Sequence, residues 1–401
     1  MIAPTIRFPE FHDEYVNDSL AEISDRVRRK NSDNQTDIPL TIASIEGLVD
    51  QRTYFGKTVA SKDMSGYYLL QNGEFAYNKS YSKGFPVGSI KRLDKYAQGA
   101  LSTLYICFSL KDDADVTSDY LVQYFNSPAW YEAVNEVCAE GARNHGLLNV
   151  SPDDFFGTTH HFAPTKEEQD KVATFLSLYD KKIENQMVKI EALETRRKGL
   201  LQQIFSQEIR FKADDGSEFP DWESHAMGEF FTERKEKAQG GEELLSVTIA
   251  NGVIRQADSD KRDNSSEDKS NYKQVKKGDM AYNTMRMWQG AEGVSYWDGI
   301  VSPAYTIIIP RDGVNAEFFM VLFKTYDALK QFTIYSQGMS SDQWNLKFDI
   351  FSDLEFDVPC LEEQTKIVAF FKLLDKQIQI EKEKLDAIKL VKKGLLQQMF
   401  V

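Results

Sequence analysis

The sequence predicts a mixed α/β fold in which two globular domains alternate with two long helices. The helices are expected to pair as an antiparallel coiled coil, with the two halves related as a pseudo-twofold, circular repeat. Three observations predict this. First, Arg196–Phe205 reads RRKGLLQQIF and Val391–Phe400 reads VKKGLLQQMF, and around that phrase Pro164–Phe205 aligns with Pro359–Phe400 at an offset of 195, with 19 of 42 positions identical. Second, an offset of 205 carries Tyr67, Gly73, Ala76, Tyr77 and Asn78 onto Tyr272, Gly278, Ala281, Tyr282 and Asn283. Third, both repeated tails space their apolar residues at 3.5, the period of a coiled-coil seam. A repeat period of about two hundred residues makes the unit a domain and excludes a solenoid.

Taken in order, residues 1–163 form the first domain. LYICF (Leu104–Phe108) reads as a strand, Ser118–Val137 as a helical run and Gly73-Glu74 as a turn. Residues 164–206 form the first long helix, opening after Pro164 with acids suited to a helix N-terminus. Its seam is Val172, Leu176, Tyr179, Ile183, Gln186, Ile190, Leu193, Arg197, Leu200 and Ile204. Residues 207–358 form the second domain, with a strand at Tyr305–Ile309 and a turn at Gly278-Asp279. Residues 359–401 form the second long helix, with the seam Ile367, Phe371, Leu374, Ile378, Glu381, Leu385, Ile388, Lys392, Leu395 and Met399. Each helix, at 1.5 Å per residue, is a rod of roughly 57 Å. The polar seam entries match between copies, Gln186 with Glu381 and Arg197 with Lys392, as residues that set register do. After Phe205 the first copy continues into Ile209-Arg210-Phe211, while the chain's own start supplies Ile6-Arg7-Phe8. The repeat is thus circular, and the two termini are expected near one another.

Composition narrows the class. The 401 residues are 41% hydrophobic and 12% aromatic, enough for two to three globular domains. No apolar run has the length of a membrane span and the start lacks a signal-peptide pattern, so a cytoplasmic protein is expected. Cys107, Cys138 and Cys360 are too scattered for a zinc or redox motif and are expected to be buried apolar residues. The net charge of −14 hides two basic stretches. Arg52–Lys95 has eight Lys and Arg against three acids, and Lys269–Arg286 has five against Asp279 alone. Both surround the repeated phrase AYN.

Four phrases recur or mark joints: P-x-x-E-E-Q opening each long helix, KGLLQQ-[IM]-F closing it, FPDW (Phe219–Trp222) before the second domain, and G-[ED]-x-A-Y-N within each domain. With the architecture above, they make the chain resemble, over essentially its full length, the specificity subunit of Type I restriction-modification systems. The resemblance implies two target-recognition domains, each reading half of a bipartite site in double-stranded DNA. It implies that the helices space them and dock two methyltransferase (modification) subunits, with restriction subunits joining the full complex. It also implies that this chain is not an enzyme and holds no cofactor, S-adenosylmethionine, ATP and magnesium belonging to its partners.

The residues agree about catalysis. There is no phosphate-binding G-x-x-x-x-G-K-[ST] loop and no G-x-G-x-x-G nucleotide fingerprint. Asn126-Ser127-Pro128-Ala129 lacks the second proline and the aromatic of the amino-methyltransferase motif, and His160-His161 has no metal-ligand partner at useful spacing. Base reading needs planar or bidentate donors, with phosphate-binding groups to hold register. Candidates in the first domain are Asn78, Lys79, Ser80, Tyr81, Lys83 and Arg92, with Arg143, Asn144 and His145 from GARNHG. In the second they are Asn283, Arg286, Trp288 and Gln289, with Ser340, Ser341 and Gln343 from GMSSDQW. Asn78 and Asn283 also suit plain turn positions, since the same phrase recurs where the two half-sites differ. The competing reading is a coiled-coil scaffold that binds proteins and no DNA, which the acidic total favours and the paired basic stretches oppose.

Overall fold

The computed structural model describes residues 3–44, 46–57, 59–82, 84–138, 148–259, 262–263, 265–338 and 344–401. It divides into two units, Met1–Val188 with Glu383–Val401, and Lys189–Lys382. Each unit therefore contains one globular part and one stretch of each long helix.

The two globular parts share a topology. The first holds a four-stranded antiparallel sheet in the order Ser24–Arg26, Ile106–Leu110, Phe75–Asn78, Ser89–Arg92. The second repeats it as Phe231–Arg234, Tyr305–Pro310, Met280–Asn283, Glu292–Val294. Each also has a hairpin (Leu40–Ala43 with Gly47–Asp50; Leu245–Thr248 with Gly252–Arg255) and two further strand pairs. The alternation of the central strands explains the packing. Phe75 and Tyr77 face one core with Phe108, Trp130 and Phe155, while Ala76 faces a smaller one with Leu40 and Cys107. Cys107 is buried, whereas Cys138 and Cys360 are only half-buried.

The expected helical run Ser118–Val137 is two helices, Ser118–Tyr124 and Tyr131–Val137. Pro128 disfavours helical backbone at Ser127. The Ser127 hydroxyl instead donates to the Tyr124 carbonyl at 2.6 Å, and the Trp130 indole to the Phe125 carbonyl at 3.0 Å.

The long helices span Lys166–Phe205 and Leu361–Gln398. No seam residue is exposed in either, whereas off-seam Leu178, Met187, Leu373 and Leu390 are. In the first unit Val172 and Leu176 share a core with Leu396, Met399 and Phe400, and Asp180 pairs with Lys392. In the second, Ile204 packs with Ile367 and Phe371, while Lys189 pairs with Glu381 (3.0 Å) and Arg197 with Asp375 (2.5 Å). Within each unit, rising numbers on one helix meet falling numbers on the other, so the paired stretches run antiparallel. No helix among the described residues is long and apolar enough to cross a membrane.

The helix-opening phrase E-E-Q is a joint. The second glutamate is buried in both copies: Glu168 takes both prongs of Arg7 (2.7 and 2.8 Å), and Glu363 takes Arg210 (2.7 and 3.3 Å). The glutamine caps the preceding strand's exit, Gln169 donating to the Ala163 carbonyl and Gln364 to the Pro359 carbonyl, each at 2.8 Å. The Ile6 amide bonds to the Gln398 carbonyl at 2.8 Å, tying the segment that carries Arg7 to the end of the second long helix.

Candidate nucleic-acid interface

Most of the repeated phrase G-[ED]-x-A-Y-N is scaffold. Its glycine takes a left-handed conformation (φ 85° at Gly73, 94° at Gly278) that suits a residue without Cβ. The acid then closes the turn, Glu74 accepting from the Gln71 amide and Asp279 from the Lys276 amide, each at 2.7 Å. An arginine from outside the turn clamps the same carboxylate, Arg29 on Glu74 (2.7 and 2.8 Å) and Arg234 on Asp279 (2.6 and 3.1 Å). The alanine and tyrosine are buried. The asparagine turns the chain out of the strand: Asn78 Oδ1 accepts from the Ser80 amide and Asn283 Oδ1 from the Met285 amide, each at 3.0 Å. Both asparagines thus have a structural task.

The phrase delivers two non-identical exit loops. In the first unit the Lys79 ammonium donates to the Val150 carbonyl at 3.3 Å, Ser80 is half-buried and Tyr81 is exposed. In the second, Met287–Gln289 makes a turn of 3-10 helix ending at Gly290. Trp288 donates its indole N–H to the Met285 carbonyl (3.1 Å) and stands edge-on to Trp344 at 5.2 Å, Gln289 is half-buried, and Arg286 is exposed without an ion-pair partner among the described residues.

Lys83, Arg143, Asn144, His145, Ser340, Ser341 and Gln343 lie outside the described residues. The chain on their C-terminal side returns to the exit loops in the same way in both units. The Leu148 amide donates to the Lys79 carbonyl (3.0 Å), and the Leu346 amide to the Thr284 carbonyl (2.9 Å).

The basic stretches are less available than their composition implies. Arg92 is clamped by Asp94 and Asp119, both at 2.7 Å, and Arg52 by Asp50 at 2.7 Å. Lys273 donates to the Tyr305 carbonyl at 2.7 Å, and burial lowers its pKa. Sequence reasoning missed Lys235 and Lys347, which share a groove of about 550 Å³ with Thr284 and Met285. Lys235 lies 3.5 Å from Glu233, and both lysines are exposed. They come from segments remote from AYN in sequence, so no local pattern marks them.

Both ring nitrogens of His160 are engaged within the protein. The ring is buried between the Tyr124 hydroxyl (3.0 Å) and the Thr158 hydroxyl (2.8 Å), and burial, with His161 beside it, pushes its pKa down to about 3. Among the described residues no cluster of His, Cys, Asp or Glu fits a metal ion.

Residues 221–390 match the family model described as the Type I restriction modification DNA specificity domain. Over the whole chain the fold is similar to the crystal structure of the Type I restriction-modification S subunit from M. genitalium, with 13% identity, a TM-score of 0.54, and 100% of this chain and 99% of that one covered. It is also similar to a chain from a structural study of complex assembly and conformational transition in the Type I system, with 15% identity, a TM-score of 0.58, and coverage of 96% and 97%.

Proposed function

We propose, from a chain that carries the Type I restriction modification DNA specificity domain in residues 221–390 and has the fold of an S subunit, that it reads a bipartite site in double-stranded DNA. Residues 1–163 read one half and residues 207–358 the other. The long helices at 164–206 and 359–401 act as an antiparallel coiled-coil spacer and dock two methyltransferase subunits, restriction subunits completing the complex. The chain itself is non-catalytic and holds no cofactor.

The observation that carries this reading is the pair of exit loops. A shared scaffold phrase is followed by different side chains in the two units, Lys79, Ser80 and Tyr81 against Arg286, Trp288 and Gln289, which is what reading two different half-sites requires. Of these, Tyr81 and Arg286 are exposed, and exposed donors suit base edges and phosphates. The test is a domain exchange followed by mapping of methylated bases in a host that supplies the methyltransferase. Replacing residues 1–163 with the matching segment of another specificity subunit should change one half of the methylated sequence and leave the other intact. A change in both halves, or in neither, would refute the division of labour.

A further inference from the structure

The first unit holds a cavity of about 930 Å³, in the range of small-molecule sites, that the DNA reading does not use. Its walls are the edge strand Ser89–Arg92, the bend after the Ser118–Tyr124 helix, and stretches of both long helices. Six basic residues line it, Lys91, Arg92, Lys95, Lys389, Lys392 and Lys393, against three acids, Glu46, Asp94 and Asp180. Two of the acids are already engaged, Asp94 with Arg92 and Asp180 with Lys392. Of the remaining cations, Lys95 donates to the Glu46 main-chain carbonyl at 3.0 Å, and Glu46 is the one lining acid outside those two pairs for Lys91, Lys389 and Lys393. Between the charges the walls are apolar or aromatic, including Phe85, Ile90, Tyr131 and Leu396.

Lys91 is the informative member. Its side chain is half-buried, and the ammonium donates to a neutral acceptor, Asn126 Oδ1, at 2.6 Å, with the Phe85 ring centre 5.8 Å away. Burial and the charge of Lys392 lower its pKa to about 8, against a weaker upward pull from Asp180 and Glu46. The second unit carries a different charge pair in this region. There Lys324 follows the Ala316–Leu322 helix as Asn126 follows Ser118–Tyr124, and it lies 3.0 Å from the buried carboxylate of Glu292. Glu292 pairs with Tyr282 across the sheet as Ile90 pairs with Tyr77. The counterpart of Lys91 itself is Gly293, which pairs with Ala281 as Lys91 pairs with Ala76, so the half-buried cation beside an open cavity belongs to the first unit's sequence.

We propose that this cavity binds a small organic anion, a phosphate or carboxylate carried on an apolar or aromatic body, with Lys91, Lys389 and Lys393 holding the charge. The site is independent of base reading. Its anion neutralises Lys91 from the cavity side.

Calorimetric titration of the full-length chain with AMP and with benzoate tests this, inorganic phosphate and adenosine serving as controls. At least one of the two aromatic anions should bind more tightly than inorganic phosphate, and neutral adenosine should not bind; which anion binds identifies the head group. Lys91→Met, and separately the exposed pair Lys389→Gln with Lys393→Gln, should weaken binding about tenfold or more, the cost of a lost charge-assisted contact. Affinity should fall as pH rises above about 8, where Lys91 loses its charge. The proposal is overturned if no anion binds at millimolar concentration, if inorganic phosphate binds as well as AMP and benzoate, or if both sets of variants bind like the parent. Loss of DNA binding in Lys91→Met with no anion bound by the parent would instead assign the cavity to the DNA backbone.

Discussion

Single residues in this chain divide into those that hold the fold and those left free to touch a partner. His160 belongs to the first group, and its chemistry gives a measurable pH dependence. Because its folded pKa lies near 3, below the unfolded value of about 6.5, the unfolded chain takes up the proton first as pH falls. Its contribution to stability is complete above pH 6.5 and is lost progressively between there and pH 3. From pH 7.5 to pH 5 the loss should be about 2 kcal/mol, at about 1.4 kcal/mol per unit below the unfolded pKa. Urea melts of the parent and His160→Gln at both pH values check this, and an equal drop in the two proteins would contradict it. Arg286 belongs to the second group. Arg286→Ala should cost about 1 to 3 kcal/mol on the cognate sequence and little on unrelated DNA if it touches a base. Equal weakening on every duplex, with a flatter salt dependence, would make it a phosphate contact.

At the scale of the element, the long helices show how spacing becomes packing. Leu176 and Leu178 are the same residue type two positions apart, yet Leu176 is fully buried among Val172, Leu396 and Met399, and Leu178 is 50% exposed. Leu176→Ala should therefore destabilise the protein by about 3 kcal/mol, from lost transfer energy and a residual cavity. Leu178→Ala should stay within about 0.5 kcal/mol. Comparable midpoints for the two variants in denaturant melts would remove the seam from the account. The Arg197–Asp375 pair is partly exposed, with Arg197 also 5.4 Å from the Phe371 ring centre. A double-mutant cycle there should give a coupling of about 0.5 to 1 kcal/mol, since solvent screens such pairs.

For the whole molecule, net charge and partner dependence belong together. At −14, with several of its cations clamped by its own carboxylates, the isolated chain is expected to bind a polyanion weakly. Alone it should transfer no methyl group from S-adenosylmethionine and bind duplex DNA weakly and with strong salt dependence. Adding methyltransferase subunits should restore specific binding and produce methylation. Methyl transfer by the purified chain alone, measured with radiolabelled cofactor, would overturn the assignment.

The sequence by itself determined the duplication, the two long helices and the residues along their seams. Helical periodicity is a local property, and a 3.5-residue spacing specifies which side chains share a face whatever lies opposite. It also located the exit loops, because AYN recurs. The apolar pattern of Ser118–Val137 runs through Asn126–Pro128, yet Pro128 divides it into two helices. Only the tertiary structure decided which cations are free. Arg92 is a binding candidate by sequence that the fold sets against Asp119, whereas Lys235 and Lys347, which no local pattern marks, share a groove with Met285. It likewise decided that the acid of G-[ED]-x-A-Y-N serves a clamp, through Arg29 and Arg234, each 45 residues away in sequence. Neutralisation of a charge depends on what lies within about 4 Å in space. Spacing along the chain carries no such information, and that is why the seams could be read and the free cations could not.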